Sequence, residues 1–113
     1  SSGTPRTRVV MVINDLGAGG AQRAMLEQAR ALDAARFEVE VASLELKSAA
    51  PWAERHAGAV PLRRTGWMGW IPYLRAFRPH IVHAHLAAGS VAAVLGAHAA
   101  GRPELLLADG ERV

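Results

Sequence analysis

The strongest constraint on this chain lies between Val9 and Arg23, in the run Val-Val-Met-Val-Ile-Asn-Asp-Leu-Gly-Ala-Gly-Gly-Ala-Gln-Arg. A β-branched apolar stretch gives way to glycines, and an alanine-rich pattern with helical spacing opens directly behind them. A strand must therefore turn straight into a helix. That order sets backbone N–H groups and the positive end of a helix dipole just outside the carboxyl end of a strand, which suits a phosphate. Glycines let a ligand approach the backbone because no Cβ intervenes. Gly17, Gly19 and Gly20 are too closely spaced for the Gly-x-Gly-x-x-Gly fingerprint, and no Lys-Ser/Thr pair follows to make a P-loop. Taken alone, the glycines fit a ligand-free strand-to-helix turn equally well.

The rest of the chain alternates between two periodicities. Arg8 to Asn14 is a near-continuous β-branched run, as expected of a strand buried on both faces of a parallel sheet. Ala21 to Leu32 follows at helical spacing, with Ala21, Met25, Gln28, Ala29 and Leu32 on one side. Phe37 to Ala42 alternates with period two and reads as a strand nearer the sheet edge. Pro51 to Ala57 makes a short helix with proline in its first turn, and Ala59 to Leu62 a short third strand. Trp67 to Phe77 is predicted helical despite Pro72, followed by a fourth strand at Ile81 to Leu86. Ala88 to Ala100 is a helix closed by Gly101, and Glu104 to Ala108 a fifth strand. Right-handed βαβ units in this series give a Rossmann-like, three-layer α/β domain with a parallel sheet in the order 3-2-1-4-5. Ligands of such sheets bind at the switch point, here between strands 1 and 4.

Length and composition set the class. With 113 residues, half of them hydrophobic and a fifth charged, the chain makes one globular domain. Residues 1–7 read as a disordered start or expression remnant, and residues 8–113 as the domain. No apolar run reaches the roughly 18 to 20 residues of a membrane span. Arg6 and Arg8 precede an apolar run, but Asp15 cuts it short, so no signal peptide is expected. The absence of cysteine excludes disulfides and fits a reducing cytoplasm. A formal charge of +3, with Lys47 the only lysine and no basic block interleaved with aromatics, argues against nucleic acid.

Several side chains are candidates for chemistry. Arg23 lies about one turn into the first helix, where it either reaches an anion or is simply solvated. His83 and His85 share one side of strand 4, with His85 nearer the crevice. A histidine there could bind a hydroxyl or move a proton. Buried packing satisfied by the backbone is the simpler reading of His83. His80 falls on the opposite strand face, and no thiol or nearby carboxylate completes a tetrahedral set, so no metal is expected. Leu62 to Arg78 carries Arg63, Arg64, Arg75 and Arg78 among Trp67, Trp70, Ile71, Tyr73, Leu74 and Phe77. That mixture fits an interfacial membrane contact, or a helix whose Trp67, Trp70 and Leu74 pack on the sheet as core.

Three motifs in order, Gly-Gly-Ala-Gln-Arg, Phe-Glu-Val-Glu-Val-Ala and Arg-Pro-His-Ile-Val-His-Ala-His, together resemble the N-terminal domain of family 4 glycosyltransferases of the GT-B fold. The resemblance covers Arg8 to Gly110. It implies the acceptor-side half of a retaining transferase that moves a sugar from a nucleotide sugar, a substrate rather than a cofactor, to a sugar or lipid-linked acceptor. Gly17, Gly19, Gly20 and Arg23 then form the donor-phosphate loop, and His85 lies near the reaction. Many members carry a histidine after strand 5; here Asp109 stands in that place, before Gly110. A carboxylate accepts a hydrogen bond from a hydroxyl but does not replace a neutral imidazole. The alternative is a non-catalytic α/β binding or assembly module. The family's donor domain lies beyond the fifth strand, so the chain alone is expected to be inactive. Leu105, Leu106 and Leu107 are expected to form an apolar edge prone to self-association. A cytoplasmic location follows, peripheral on the inner membrane face if Leu62 to Arg78 docks.

Overall fold

A computed structural model describes residues 5–14, 16, 20–45, 51–84 and 105–107. The chain runs β1 (Thr7–Ile13), α1 (Gly20–Ala31), β2 (Phe37–Ser43), α2 (Pro51–Ala57), β3 (Leu62–Arg64), α3 (Gly66–Phe77), β4 (Ile81–Ala84) and β5 (Leu105–Leu107). All strand pairs are parallel, in the order β3-β2-β1-β4-β5. This is the Rossmann-like α/β arrangement expected from the alternating periodicities. The predicted helix at Ala88 to Ala100 lies outside the described residues.

Register sorts the side chains into two layers around the sheet. Val10 and Val12 of β1 align with Val82 and Ala84 of β4, and Val12 also aligns with Ala42 of β2. These residues face α3, where Trp70 and Leu74 bury against them. Met11 and Ile13 point the other way and pack with Met25, Leu26 and Ala29 of α1, Val41 of β2, and Ala53 and Ala57 of α2. The alternation is that of any strand, whose neighbouring residues face opposite sides. In β1, Val9 to Ile13 are all buried because both sides are covered.

The third strand differs from the sequence reading, and α3 tolerates its proline, each for an identifiable reason. The third strand is Leu62–Arg64, not Ala59 to Leu62. Gly58, with φ of 62°, and the bond from Val60 N–H to the Ala57 carbonyl use residues 58–60 to close α2. Pairing with β2 begins at the Pro61 carbonyl, which accepts from Val41 N–H at 3.0 Å. In α3, Pro72 removes the N–H that would bond to the Met68 carbonyl. Both residues are exposed, so water can take the vacant acceptor and the helix continues to Phe77. Among the described residues, no helix is long and apolar enough to cross a membrane.

Candidate functional site

The strand order reverses direction at β1: β2 and β3 are added on one side, β4 and β5 on the other. Helices α1 and α2 cover one face and α3 the opposite one; in sheets of this topology ligands bind outside the carboxyl ends of the strands at the switch point, here β1 and β4. Gly20 is the first residue of α1, whose first turn contains no acidic side chain to offset the positive end of the dipole. Gly17, Gly19, His85 and Asp109 lie outside the described residues. Arg23 is exposed, with its guanidinium carbon 5.6 Å from the centre of the Trp52 ring on α2. A cation over an aromatic face accounts for that placement without an anion.

The carboxyl rim holds a set of polar groups that the sequence reading did not single out. Beyond β1 and β2 the pairing continues, with Leu44 N–H donating to the Ile13 carbonyl at 3.0 Å and Glu45 N–H to the Asn14 carbonyl at 2.8 Å. This brings the Asn14 side-chain amide to 3.1 Å from Glu45 Oε1. The Ser43 hydroxyl, fully buried, donates to the Glu45 carbonyl at 3.0 Å and lies 3.4 Å from that of Asn14. Next along the rim, Thr65 N–H donates to the Ser43 carbonyl at 3.0 Å, fixing the start of α3 beside the end of β2. Asn14 thus orients a half-buried carboxylate at the end of β2, a position from which dinucleotide-binding sheets of this type hold a ribose hydroxyl. Asn, Ser and Thr immediately after apolar strands were the available sequence signal. Which of them meet depends on the parallel register, and no local pattern contains that.

His83 sits between Met11 and Leu106 in the register, hence on the α1 face of the sheet. It is half-buried, and burial lowers its pKa below the ordinary 6.5, so the imidazole is neutral at pH 7. His80 lies at the amino end of β4, away from the crevice; its Nδ1 accepts from Arg8 N–H at 2.9 Å and its N–H donates to the Arg8 carbonyl at 2.8 Å. It splices β4 onto β1. Among the described residues, no group of three or more His, Asp or Glu is arranged to hold a metal ion.

A cleft of about 520 Å³ opens at the opposite end of the sheet, bordered by Arg6, Arg30, Leu32, Phe37, Glu38 and Pro61. Arg30 and Leu32 come from the end of α1 and the others from the amino ends of β1, β2 and β3, the side from which open α/β sheets do not present their ligands. Topology therefore favours the rim at Asn14, Gly20 and Glu45 over this cleft. No family model, curated protein or solved structure matches the chain.

Proposed function

We propose that the chain is the N-terminal, acceptor-side half of a retaining glycosyltransferase of GT-B architecture. The observation that carries this reading is Gly20 opening α1 directly behind β1 at the switch point of a 3-2-1-4-5 parallel sheet. The full reaction breaks the bond between a sugar and a nucleoside diphosphate and joins the sugar to an acceptor hydroxyl, which gives up its proton. In this reading the glycines that precede α1 in sequence, Gly17 and Gly19, together with Gly20, serve the leaving diphosphate, whose charge the positive end of the α1 dipole offsets. His85 and Asp109 are the proton-handling candidates at the ends of strands 4 and 5. Glu45, held by Asn14, binds hydroxyls of the acceptor. A cysteine-free composition suits this chemistry to the cytoplasm.

The test uses an enzyme in which this domain is joined to a donor-binding domain. Gly20→Leu places a side chain where the diphosphate approaches and should lower kcat/KM at least about tenfold, equivalent to roughly 1.4 kcal/mol of transition-state binding. The melting temperature should hardly move. Unchanged activity removes the phosphate-side role of the turn. Titration calorimetry of the present chain with nucleotide sugars should show no tight binding, because one wall of a cleft provides little of the positioning. Submicromolar affinity would point instead to a self-sufficient binding module.

A further inference from the structure

The edge of β2 is left open at one residue, inside the cleft at the amino end of the sheet. In a parallel ladder the N–H and C=O of one residue point to the same side, and successive residues alternate. Val41 N–H donates to the Pro61 carbonyl, so Val39, two residues earlier, turns both its N–H and its C=O toward that side. There β3 pairs with Val41, Ala42 and Ser43 only. One step further back, the ladder would need the Ala59 carbonyl to accept from Val39 N–H and Pro61 to donate to the Val39 carbonyl. Residues 58–60 are drawn instead into the turn that closes α2, and proline has no N–H to give. Among the described residues, Val39 therefore keeps one backbone donor and one acceptor unpaired on that side. Charges around this edge are matched with one exception. Glu38 lies 3.7 Å from Arg6, and Glu40 is held by Arg63 and the Tyr73 hydroxyl. Arg30, in the last turn of α1, is exposed and has no carboxylate partner among the described residues. A Cβ placed on Gly58 would lie 3.5 Å from its Nε, which sets the Arg30 side chain beside the turn after α2, at the cleft wall.

We propose that this cleft takes an extended, glutamate-bearing peptide segment of another protein as a short added strand on β2. A residue lying opposite Val39 satisfies both open backbone groups with its own N–H and C=O, the way extended peptides add to sheet edges. Register then dictates the side chains. Val39 packs on the α1 face, where Leu32 and Val60 are also half-buried, so the residue opposite it brings an apolar side chain to that surface. Residues two places away return to the same face. Arg30 stands on that face, and a glutamate there forms charge-assisted hydrogen bonds with its guanidinium. The residue between them points to the other face of the sheet, where a polar side chain suffices. The recognised pattern is an apolar residue, any residue, then glutamate, in either chain direction. A cleft of about 520 Å³ has the capacity of a small-ligand site, for which roughly 300–1,000 Å³ is usual. The rim at Asn14 and Glu45 lies at the opposite ends of the strands, so this inference stands whether or not the domain serves glycosyl transfer.

The experiment follows the backbone amides of the isotope-labelled chain by NMR as the capped peptide acetyl-Glu-Thr-Val-Thr-Glu-amide is added, a sequence that offers the pattern in both directions. The Val39 amide should shift saturably and exchange with solvent more slowly once its N–H finds an acceptor, while Asn14 and Glu45 should not move. Arg30→Gln, at an exposed site, should weaken binding about tenfold, the loss of a hydrogen-bonded charge pair. N-methylation of the central valine removes the donor to the Val39 carbonyl and should cost roughly fivefold. Arg30→Glu should reject this peptide and accept acetyl-Lys-Thr-Val-Thr-Lys-amide, a reversal that a merely structural arginine would not produce. No saturable shift at Val39, or shifts centred on Asn14 and Glu45, would overturn the proposal. So would equal binding of the two peptides by the native chain, full binding by Arg30→Gln, or undiminished affinity for the N-methylated peptide.

Discussion

On the α1/α2 face of the sheet, Met11, Ile13, Met25, Leu26 and Val41 interlock as aliphatic and thioether side chains, and Ala53 and Ala57 let α2 approach closely. The α3 face is built differently. Trp70, Tyr73 and Phe77 stack in sequence, with ring centres 5.9 and 5.7 Å apart and planes 20° from parallel, over Val10, Val12, Val82 and Ala84. Glu40 lies among them at 9% exposure, its Oε1 accepting from the Tyr73 hydroxyl at 2.9 Å and from Arg63 Nε at 3.2 Å. That hydrogen-bonded partnership raises the pKa of Arg63 further and keeps its cation in place. The first face divides its burial among many interchangeable contacts. The second concentrates it in one aromatic stack and one carboxylate, so a single substitution there should remove more.

The largest expected effect comes from truncating the two cores in parallel. Trp70→Ala empties the centre of the α3 face, and loss of a buried tryptophan typically costs about 3–5 kcal/mol. Met25→Ala on the other face should cost about 2–5 kcal/mol, toward the lower end because flexible neighbours can fill the space. Urea denaturation of both variants decides the matter. A Met25→Ala loss exceeding that of Trp70→Ala would break the contrast between the faces.

Acid and base should attack opposite faces. Burial, then the hydrogen bond to Glu40, hold the Tyr73 pKa above its ordinary value of 10.0. Folding therefore favours the neutral phenol; its contribution is complete below pH 10 and is lost as pH rises beyond it. Tyr73 is the only tyrosine, so its absorbance should titrate together with unfolding rather than before it. Tyr73→Phe should flatten the alkaline limb of a plot of Tm against pH. His83, on the α1 face, shows the reverse: burial lowers its pKa, so its contribution is complete above pH 6.5 and is lost as pH falls below that value. His83→Gln should flatten the acid limb alone. Free titration of Tyr73 near pH 10 in the folded protein would show that the Glu40 site is open to water.

The α1 face was the legible one. Met25, Ala29 and Leu32 recur at helical spacing, the β-branched run of β1 signals double-sided burial, and the alternation of strands and helices leads to the strand order. Glu40 misleads a local reading, because a carboxylate alternating with valines looks like the wet side of a strand. Only the pairing of β2 with β3 brings Arg63 near it, and only the crossover through α3 brings Tyr73. The rim cluster was hidden for the same reason: Asn14 and Glu45 are far apart in sequence and meet through register. Trp67 shows the limit of composition within one helix, since it was grouped with Trp70 as possible core yet stands half in solvent. A turn of the helix separates core from surface more finely than an aromatic count can.

The smallest test compares how the two faces end their helices. On the aliphatic face, α2 is followed by Gly58 at φ of 62°; on the aromatic face, α3 is capped by Arg78 at φ of 54° and ψ of 59°. Both hold the left-handed conformation, but only the arginine carries a Cβ, at a strain of roughly 1–2 kcal/mol. Arg78 N–H donates to the Leu74 carbonyl at 2.8 Å, and its own carbonyl accepts from Arg8 Nε at 2.8 Å; both are backbone functions that glycine retains. Arg78→Gly relieves the strain but adds unfolded-chain freedom of about 0.4–1 kcal/mol. A net gain near 0.5 kcal/mol should remain, visible as a small rise in Tm. Gly58→Ala reverses the exchange: the new Cβ would meet Arg30 Nε at 3.5 Å, an ordinary contact, so strain alone sets a loss of similar size. A neutral or destabilising Arg78→Gly would mean that the arginine side chain contributes as much at the end of α3 as its backbone strain takes away.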